Sequence, residues 1–268
     1  MTRTPSTLSR GRTTVFNCPI SKMKTTLSLL CAVFLLATNA LAEPPSRPFE
    51  TFDGAKRVAR DAIYADHRID FYCGCGFEPS KTKSGGTIDA SKCGYVPRKN
   101  KARGRVLEWE HVMPAYYFGH QRACWSKGDA KCVKSDGKAF KGRECCARAD
   151  ETFKRIEADL HNLTPAVGEL NGDRSNLPYG EVAGEPREYG KCDFEIGGKP
   201  RVTEPRDEVR GDAARIWLHM SDTYGIKLSN SQRQMFETWS KQDPPDQWER
   251  LRNIRIEAAQ GNKNPFVK

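Results

Sequence analysis

The sequence predicts a helix-rich α+β fold, a single disulfide-stapled domain with few strands. Three observations carry this. Apolar residues recur at helical spacing near both ends of the exported chain, a few short alternating segments sit between Gly and Pro clusters, and the exported part holds an even number of cysteines. The export reading rests on residues 27–37 (LSLLCAVFLLA), an apolar run behind Met23-Lys24, followed by the small residues Ala40-Leu41-Ala42. That pattern is a secretory leader with cleavage after Ala42. The run is shorter than the ~20 residues a membrane span needs, so no span is expected. Cys31 lies inside the run, away from the cleavage site, which argues against a lipoprotein. A leader starting at Met23 has the usual proportions, so residues 1–22 read as an upstream extension and residues 43–268 as the domain. Removal of residues 1–42 takes away five basic residues and no acidic ones, so the net charge falls from +10 to +5 over 226 residues. This basic surplus suits a polyanionic partner without demanding one.

The elements follow in order. Residues 52–65 place Val58, Ala59, Ala62 and Ile63 on one helical stripe, Ile69 to Cys73 reads as a strand, and residues 76–105 read as loop. Val106 to Met113 alternates as a strand that Pro114 ends. Residues 147–160 are helical through Phe153, Ile156 and Leu160. His161 to Leu163 can pair as a short strand. Thr164-Pro165 then looks like a helix start, with Thr164 as N-cap, and Asn171-Gly172 like its end. Lys191 to Ile196 and Arg201 to Thr203 flank Gly197-Gly198 as a strand pair. Three helices close the chain: Ala213 to Tyr224 before Gly225, Ser231 to Lys241, and Asp246 to Gln260 before Gly261.

Eight of the ten cysteines remain in the exported part: 73, 75, 93, 124, 132, 145, 146 and 192. Export favours disulfides, and the spacings lack the paired CxxC units of a zinc knuckle. Pairing stays open among the alternatives. The loop from Cys124 to Cys132 is short enough for a local bridge, and adjacent Cys145 and Cys146 are expected to reach two different partners.

The chemistry concentrates in Glu108-Trp109-Glu110-His111 and in the later segments His161-Asn162 and Asn171-Gly172-Asp173-Arg174. Oxygen donors such as Glu110 and Asn171 suit a hard divalent cation. A neutral imidazole suits proton removal from water. Taken alone, Glu110 and His111 read more simply as a solvated strand around a core Trp109. Neighbours on a strand face opposite sides, so both reach one site only near a strand end, which Pro114 permits. The company of Asn162 and Asn171 shifts the reading toward metal-assisted phosphodiester hydrolysis. The run Arg98 to Arg105 reads as a solvated basic loop, while Trp109, Trp217, Trp239 and Trp248 sit at core spacings.

These residues carry a resemblance. Phe71-Tyr72-Cys73-Gly74-Cys75, the EWEH segment, Gly119-His120-Gln121-Arg122 and the run from Asp159 to Asn176 (DLHNLTPAVGELNGDRSN) are similar to the endonuclease I family. That family comprises periplasmic and secreted nucleases with a ββα-metal (His-Me finger) motif, and the likeness runs from about residue 50 to the end. It implies His111 as general base, Glu110 and Asn171 as the two protein ligands of one Mg²⁺, with Mn²⁺ or Ca²⁺ as substitutes, and Asn162 as the residue orienting His111. It also implies cleavage of DNA, and often RNA, with little sequence preference, leaving 5′-phosphate and 3′-hydroxyl ends, by a monomer in the periplasm or medium. The chain departs from the family between Cys124 and Cys132, where an Arg that binds the scissile phosphate is expected and none occurs. Lys131 and Arg174, with Arg122, are the alternatives for that role. The rival reading is a non-catalytic secreted protein that binds nucleic acid or another polyanion, which has no use for His111, Glu110 and Asn171 together.

Overall fold

The computed structural model describes residues 49–184 and 186–268, so the leader and its cleavage point lie outside the described residues. Thr51 opens the first helix by accepting the N–H of Gly54 at 3.1 Å, and α1 (Phe52–Val58) runs on as a π-helical turn, Ala59–Ile63. The expected strand at Ile69 to Cys73 is instead a turn. The Asp70 carboxylate accepts the N–H groups of Tyr72, Cys73 and Cys75, which curls the chain rather than leaving its donors for a ladder. The region read as loop holds a hairpin, β1 (Gly76–Pro79) against β2 (Gly86–Asp89). Gly86 there is a packing residue, since a Cβ would lie 2.2 Å from the Glu78 carbonyl.

The hairpin extends into a four-stranded antiparallel sheet, β1-β2-β3-β4, with β3 at Val106–His111 and β4 at Leu163–Val167. Leu107 pairs with Val167 and His111 with Leu163. The helix expected to start at Thr164-Pro165 is therefore a strand. β4 is an edge strand, where a proline costs no ladder bond on the open side, and the Pro165 carbonyl still accepts from Phe71. Helix α6 (Gly168–Arg174) follows β4 directly and contains Asn171-Gly172 instead of ending there. The Arg103 guanidinium packs against Gly172, where a Cβ would sit 2.1 Å from it and the arginine would have to swing aside.

Between β3 and β4 lie α2 (Ala115–Gly119), α3 (Ala123–Ser126), α4 (Arg143–Ala149) and α5 (Glu151–Glu157). The single helix expected over 147–160 is broken at Asp150, which caps α5 by accepting from Phe153 at 2.9 Å. Among the described residues four disulfides form: Cys73–Cys192, Cys75–Cys93, Cys124–Cys146 and Cys132–Cys145. The local Cys124–Cys132 bridge is not made. Cys145 and Cys146, adjacent on α4, take those two partners separately, as expected.

A second hairpin, β5 (Phe194–Gly197) with β6 (Val202–Pro205), matches the expected pair around Gly197-Gly198. The last three helices also appear: α7 (Arg210–Tyr224), α8 (Asn230–Gln242) and α9 (Gln247–Gln260). Gly225 and Gly261 end α7 and α9 in the left-handed conformation, at φ 66° and 87°. The main sheet contributes to two apolar clusters. Leu107, Trp109 and Leu163 join Phe77, Tyr64 and Ile256, while Ala166 and Val167 join Trp217, Phe153 and Phe194. Among the described residues no helix is long and apolar enough to cross a membrane.

Arg252 of α9 reaches the entrance of β4, where it donates to the carbonyls of Leu160, His161 and Leu163 at 2.9–3.1 Å. Gln260 adds bonds to the Leu160 N–H and the Asp159 carboxylate. The C-terminal helix thus holds the entrance of the strand that pairs with β3.

Candidate active site

Glu110 and His111 end β3, and a cavity of about 310 Å³ opens there, lined by Glu108, Glu110, His111, Arg103, Arg143 and Asn171 among others. The strand end lets both neighbours serve it. Glu110 is 4 % exposed, and both its hydrogen bonds fall on Oε1, from the Tyr72 hydroxyl at 2.9 Å and Arg174 Nη1 at 2.7 Å. Oε2 remains for the cavity. Burial pushes the Glu110 carboxyl up, against the pull of the Arg174 charge and the Tyr72 hydroxyl.

His111 is buried, with its ring 4.7 Å from that of Phe52 on α1. Its Nε2 lies 2.7 Å from the Glu157 carbonyl oxygen, which can only accept, so Nε2 carries the proton. Nδ1 is then the basic nitrogen, with Arg143 Nη2 3.4 Å away. Burial first, and the Arg143 charge second, pull the imidazole down to about 3, so it is neutral at ordinary pH.

Asn171, on α6, donates from Nδ2 to Glu108 Oε2 at 2.9 Å, which leaves its Oδ1 as an acceptor. Glu108 also holds Arg103 through two bonds of 2.8 Å. Glu110 Oε2 and Asn171 Oδ1 are thus the oxygens left for a ligand, with both Glu108 oxygens taken up by Arg103 and Asn171, and such oxygen donors fit a hard divalent cation.

The other expected site residues lie elsewhere. Asn162 does not touch the imidazole. Its carboxamide accepts the Met113 N–H at 2.7 Å and donates to the Met113 carbonyl at 2.9 Å, prolonging the β3–β4 pairing past His111. The group that orients the ring is the Glu157 carbonyl. Arg174 is fully buried and donates to Glu110 and to the carbonyls of His111 and Val112, with its guanidinium over the Tyr179 ring, so it cannot meet a substrate. Lys131 is exposed in a turn that does not line the cavity, and Arg122 is engaged by Asp150.

Sequence reasoning missed Arg143. It heads α4, its side chain is 44 % exposed, and it pairs with Glu157 at 2.6 Å. It is none of the three alternatives Lys131, Arg174 and Arg122, and lies instead beside Cys145 and Cys146, whose bridges join that stretch to Cys132 and Cys124. Arg103, read as part of a solvated run, also lines the cavity.

A family model described as Endonuclease I matches residues 55–268. An extracellular deoxyribonuclease of Aeromonas hydrophila is 42 % identical over 89 % of this chain and 95 % of its own. A periplasmic deoxyribonuclease of the same organism is 44 % identical over 77 % and 81 %. Endonuclease-1 of Buchnera aphidicola subsp. Acyrthosiphon pisum is 40 % identical over 88 % and 87 %.

Proposed function

Because the chain belongs to the endonuclease I family of nucleases, we propose that it is an exported, metal-dependent deoxyribonuclease that cuts by a single-ion, histidine-base mechanism. The observation that carries this is one cavity lined by a neutral imidazole, a set of oxygen donors and an arginine. Two antiparallel strands and a helix, β3, β4 and α6, supply Glu110, His111 and Asn171, an arrangement that supports the ββα-metal reading. A Mg²⁺-class ion held by Glu110 and Asn171, with waters completing its shell, would supply Lewis-acid stabilisation of the charge on the phosphate and the departing 3′ oxygen.

The chain's own residues do the rest. His111 Nδ1 takes a proton from water while the water oxygen bonds to phosphorus and the bond to the 3′ oxygen breaks; the departing 3′ oxygen takes a proton from a second water, leaving 5′-phosphate and 3′-hydroxyl ends. The Glu157 carbonyl keeps its bond from Nε2–H throughout and steadies the imidazolium that forms. Arg143, beside His111 in that cavity, is the arginine assigned to grip the reacting phosphate, and Arg103 lines the same cavity. Arg174 and Tyr72 hold Glu110 in line. Phosphate contacts carry no base information, so little sequence preference is expected. DNA is the substrate by likeness to the deoxyribonucleases named above, and export to periplasm or medium agrees with their names and with the leader.

Calorimetric metal titration with plasmid cleavage on three variants tests the assignment. His111→Ala is expected to lose most cleavage and keep Mg²⁺ binding, whereas Glu110→Gln and Asn171→Ala are expected to weaken Mg²⁺ binding. Loss of Mg²⁺ binding in folded His111→Ala to the same degree as in Glu110→Gln would make His111 a ligand and overturn the mechanism.

A further inference from the structure

Outside the catalytic cavity, Asp159, His161 and His219 form a buried cluster that the nuclease reaction does not use. Each is at most 1 % exposed, and their ligand atoms all lie within 4.8 Å of one another. The two imidazoles meet edge to face at 4.4 Å, and His219 Nε2 is 3.9 Å from Asp159 Oδ2.

The second nitrogen of each ring is already committed to an oxygen. His161 Nε2 lies 3.0 Å from the Asn262 carbonyl, which leaves Nδ1 as its inward lone pair. His219 Nδ1 lies 3.3 Å from Thr223 Oγ1, which leaves Nε2 facing the carboxylate. Metal-binding histidines almost always hold their outer N–H in this way. The carboxylate is anchored too. Asp159 Oδ1 accepts from the His161 N–H at 2.9 Å and from Gln260 at 2.8 Å, and Oδ2 accepts from the Tyr224 hydroxyl.

We propose that Asp159, His161 and His219 form a structural binding site for a zinc-class divalent ion, distinct from the oxygen-lined catalytic site. Two imidazole nitrogens and one carboxylate select a borderline ion such as Zn²⁺ over Mg²⁺, which prefers oxygen alone. The Tyr224 hydroxyl, bonded to the same carboxylate, offers a further oxygen. The bound ion ties α7, through His219, to the turn that precedes β4. The next residue in that turn, Asn162, fixes Met113 just beyond the catalytic strand. The ion is therefore a staple for the site's framework and takes no part in the reaction.

The test uses the mature protein, stripped with EDTA, reloaded with Zn²⁺ in excess Mg²⁺ to keep the oxygen site filled, and desalted. Elemental analysis is expected to find about one zinc per chain in the wild type and less than about a tenth of that in His219→Phe, with unchanged far-ultraviolet dichroism. Free Zn²⁺ at about a hundredfold over its Kd is expected to raise the melting temperature of the wild type by roughly 5 °C or more and to leave His219→Phe unmoved. Should His219→Phe fail to fold, X-ray absorption on the zinc-loaded wild type decides, with two histidine nitrogens expected around the ion. A wild type that retains no zinc, equal retention by folded His219→Phe, or an oxygen-only shell around the zinc would overturn the proposal.

Discussion

Replacing Arg143 by alanine is expected to separate catalysis from stability. The guanidinium lies 3.4 Å from His111 Nδ1 and 2.6 Å from Glu157 Oε1, with a side chain 44 % exposed. Its removal leaves the Glu157 carboxylate, 6 % exposed, short of one partner, a change worth about 1–3 kcal/mol. For a domain of this size that lowers the melting temperature by roughly 2–12 °C, so the variant stays folded at 25 °C. The catalytic cost is of a different order. Loss of a charged donor aimed at the reacting phosphate typically lowers kcat by about 10²–10³, or roughly 2.7–4 kcal/mol of transition-state stabilisation. Arg143→Lys should recover only part of this, since an ammonium cannot form the two-pronged bond of a guanidinium. The assay is single-turnover cleavage of a labelled duplex at saturating enzyme and Mg²⁺, with the melting temperature of each variant alongside. Cleavage by Arg143→Ala within about threefold of wild type, with Lys131→Ala or Arg103→Ala the slower enzyme, would refute the placement of the phosphate at Arg143.

Arg174→Ala should behave in the opposite way, losing about 3–5 kcal/mol of stability in urea denaturation because the buried Glu110 carboxylate is left without its cation. Cys132→Ser/Cys145→Ser removes a bridge with a sequence separation of 13 residues, and a cost of roughly 3 kcal/mol is expected, together with reduced cleavage because α4 carries Arg143. Burial pulls both His111 and His161 down to about 3, below their unfolded value near 6.5. Their stabilising contribution is therefore complete above pH 6.5 and is lost as pH falls toward 3, because only the unfolded chain takes up the protons. Thermal melts of metal-stripped protein at pH 7 and pH 5 should show this decline, and an unchanged melting temperature would count against buried neutral imidazoles.

The last three helices were legible because each carries a 3.6-residue apolar stripe, and glycines stop α7 and α9. β3 was legible because it alternates up to Pro114. The β1–β2 hairpin was not, since both strands are short and half-exposed, and its glycines mark backbone contact rather than a loop. Thr164-Pro165 misled because a proline that suits a helix start is equally at home on a sheet edge. Among the residues that line the cavity, Glu110, His111 and Asn171 were singled out by their motif. Arg143 and the Glu157 carbonyl could not, because the chain crosses two disulfides between β3 and β4 and no spacing rule spans that path. Asn162 was assigned to the wrong neighbour for a related reason. Carboxamides serve backbone and imidazole alike, and only coordinates show that Met113 takes both of its ends.

The grip of α9 on the carbonyls of Leu160, His161 and Leu163 has a consequence for cooperativity. Arg252 lies 92 positions from Leu160, so the backbone leading into β4 draws on a contact of long sequence separation. Loosening α9 therefore loosens the turn that carries Asn162 and, through it, Met113 just past β3, although no residue of α9 is among those lining the cavity.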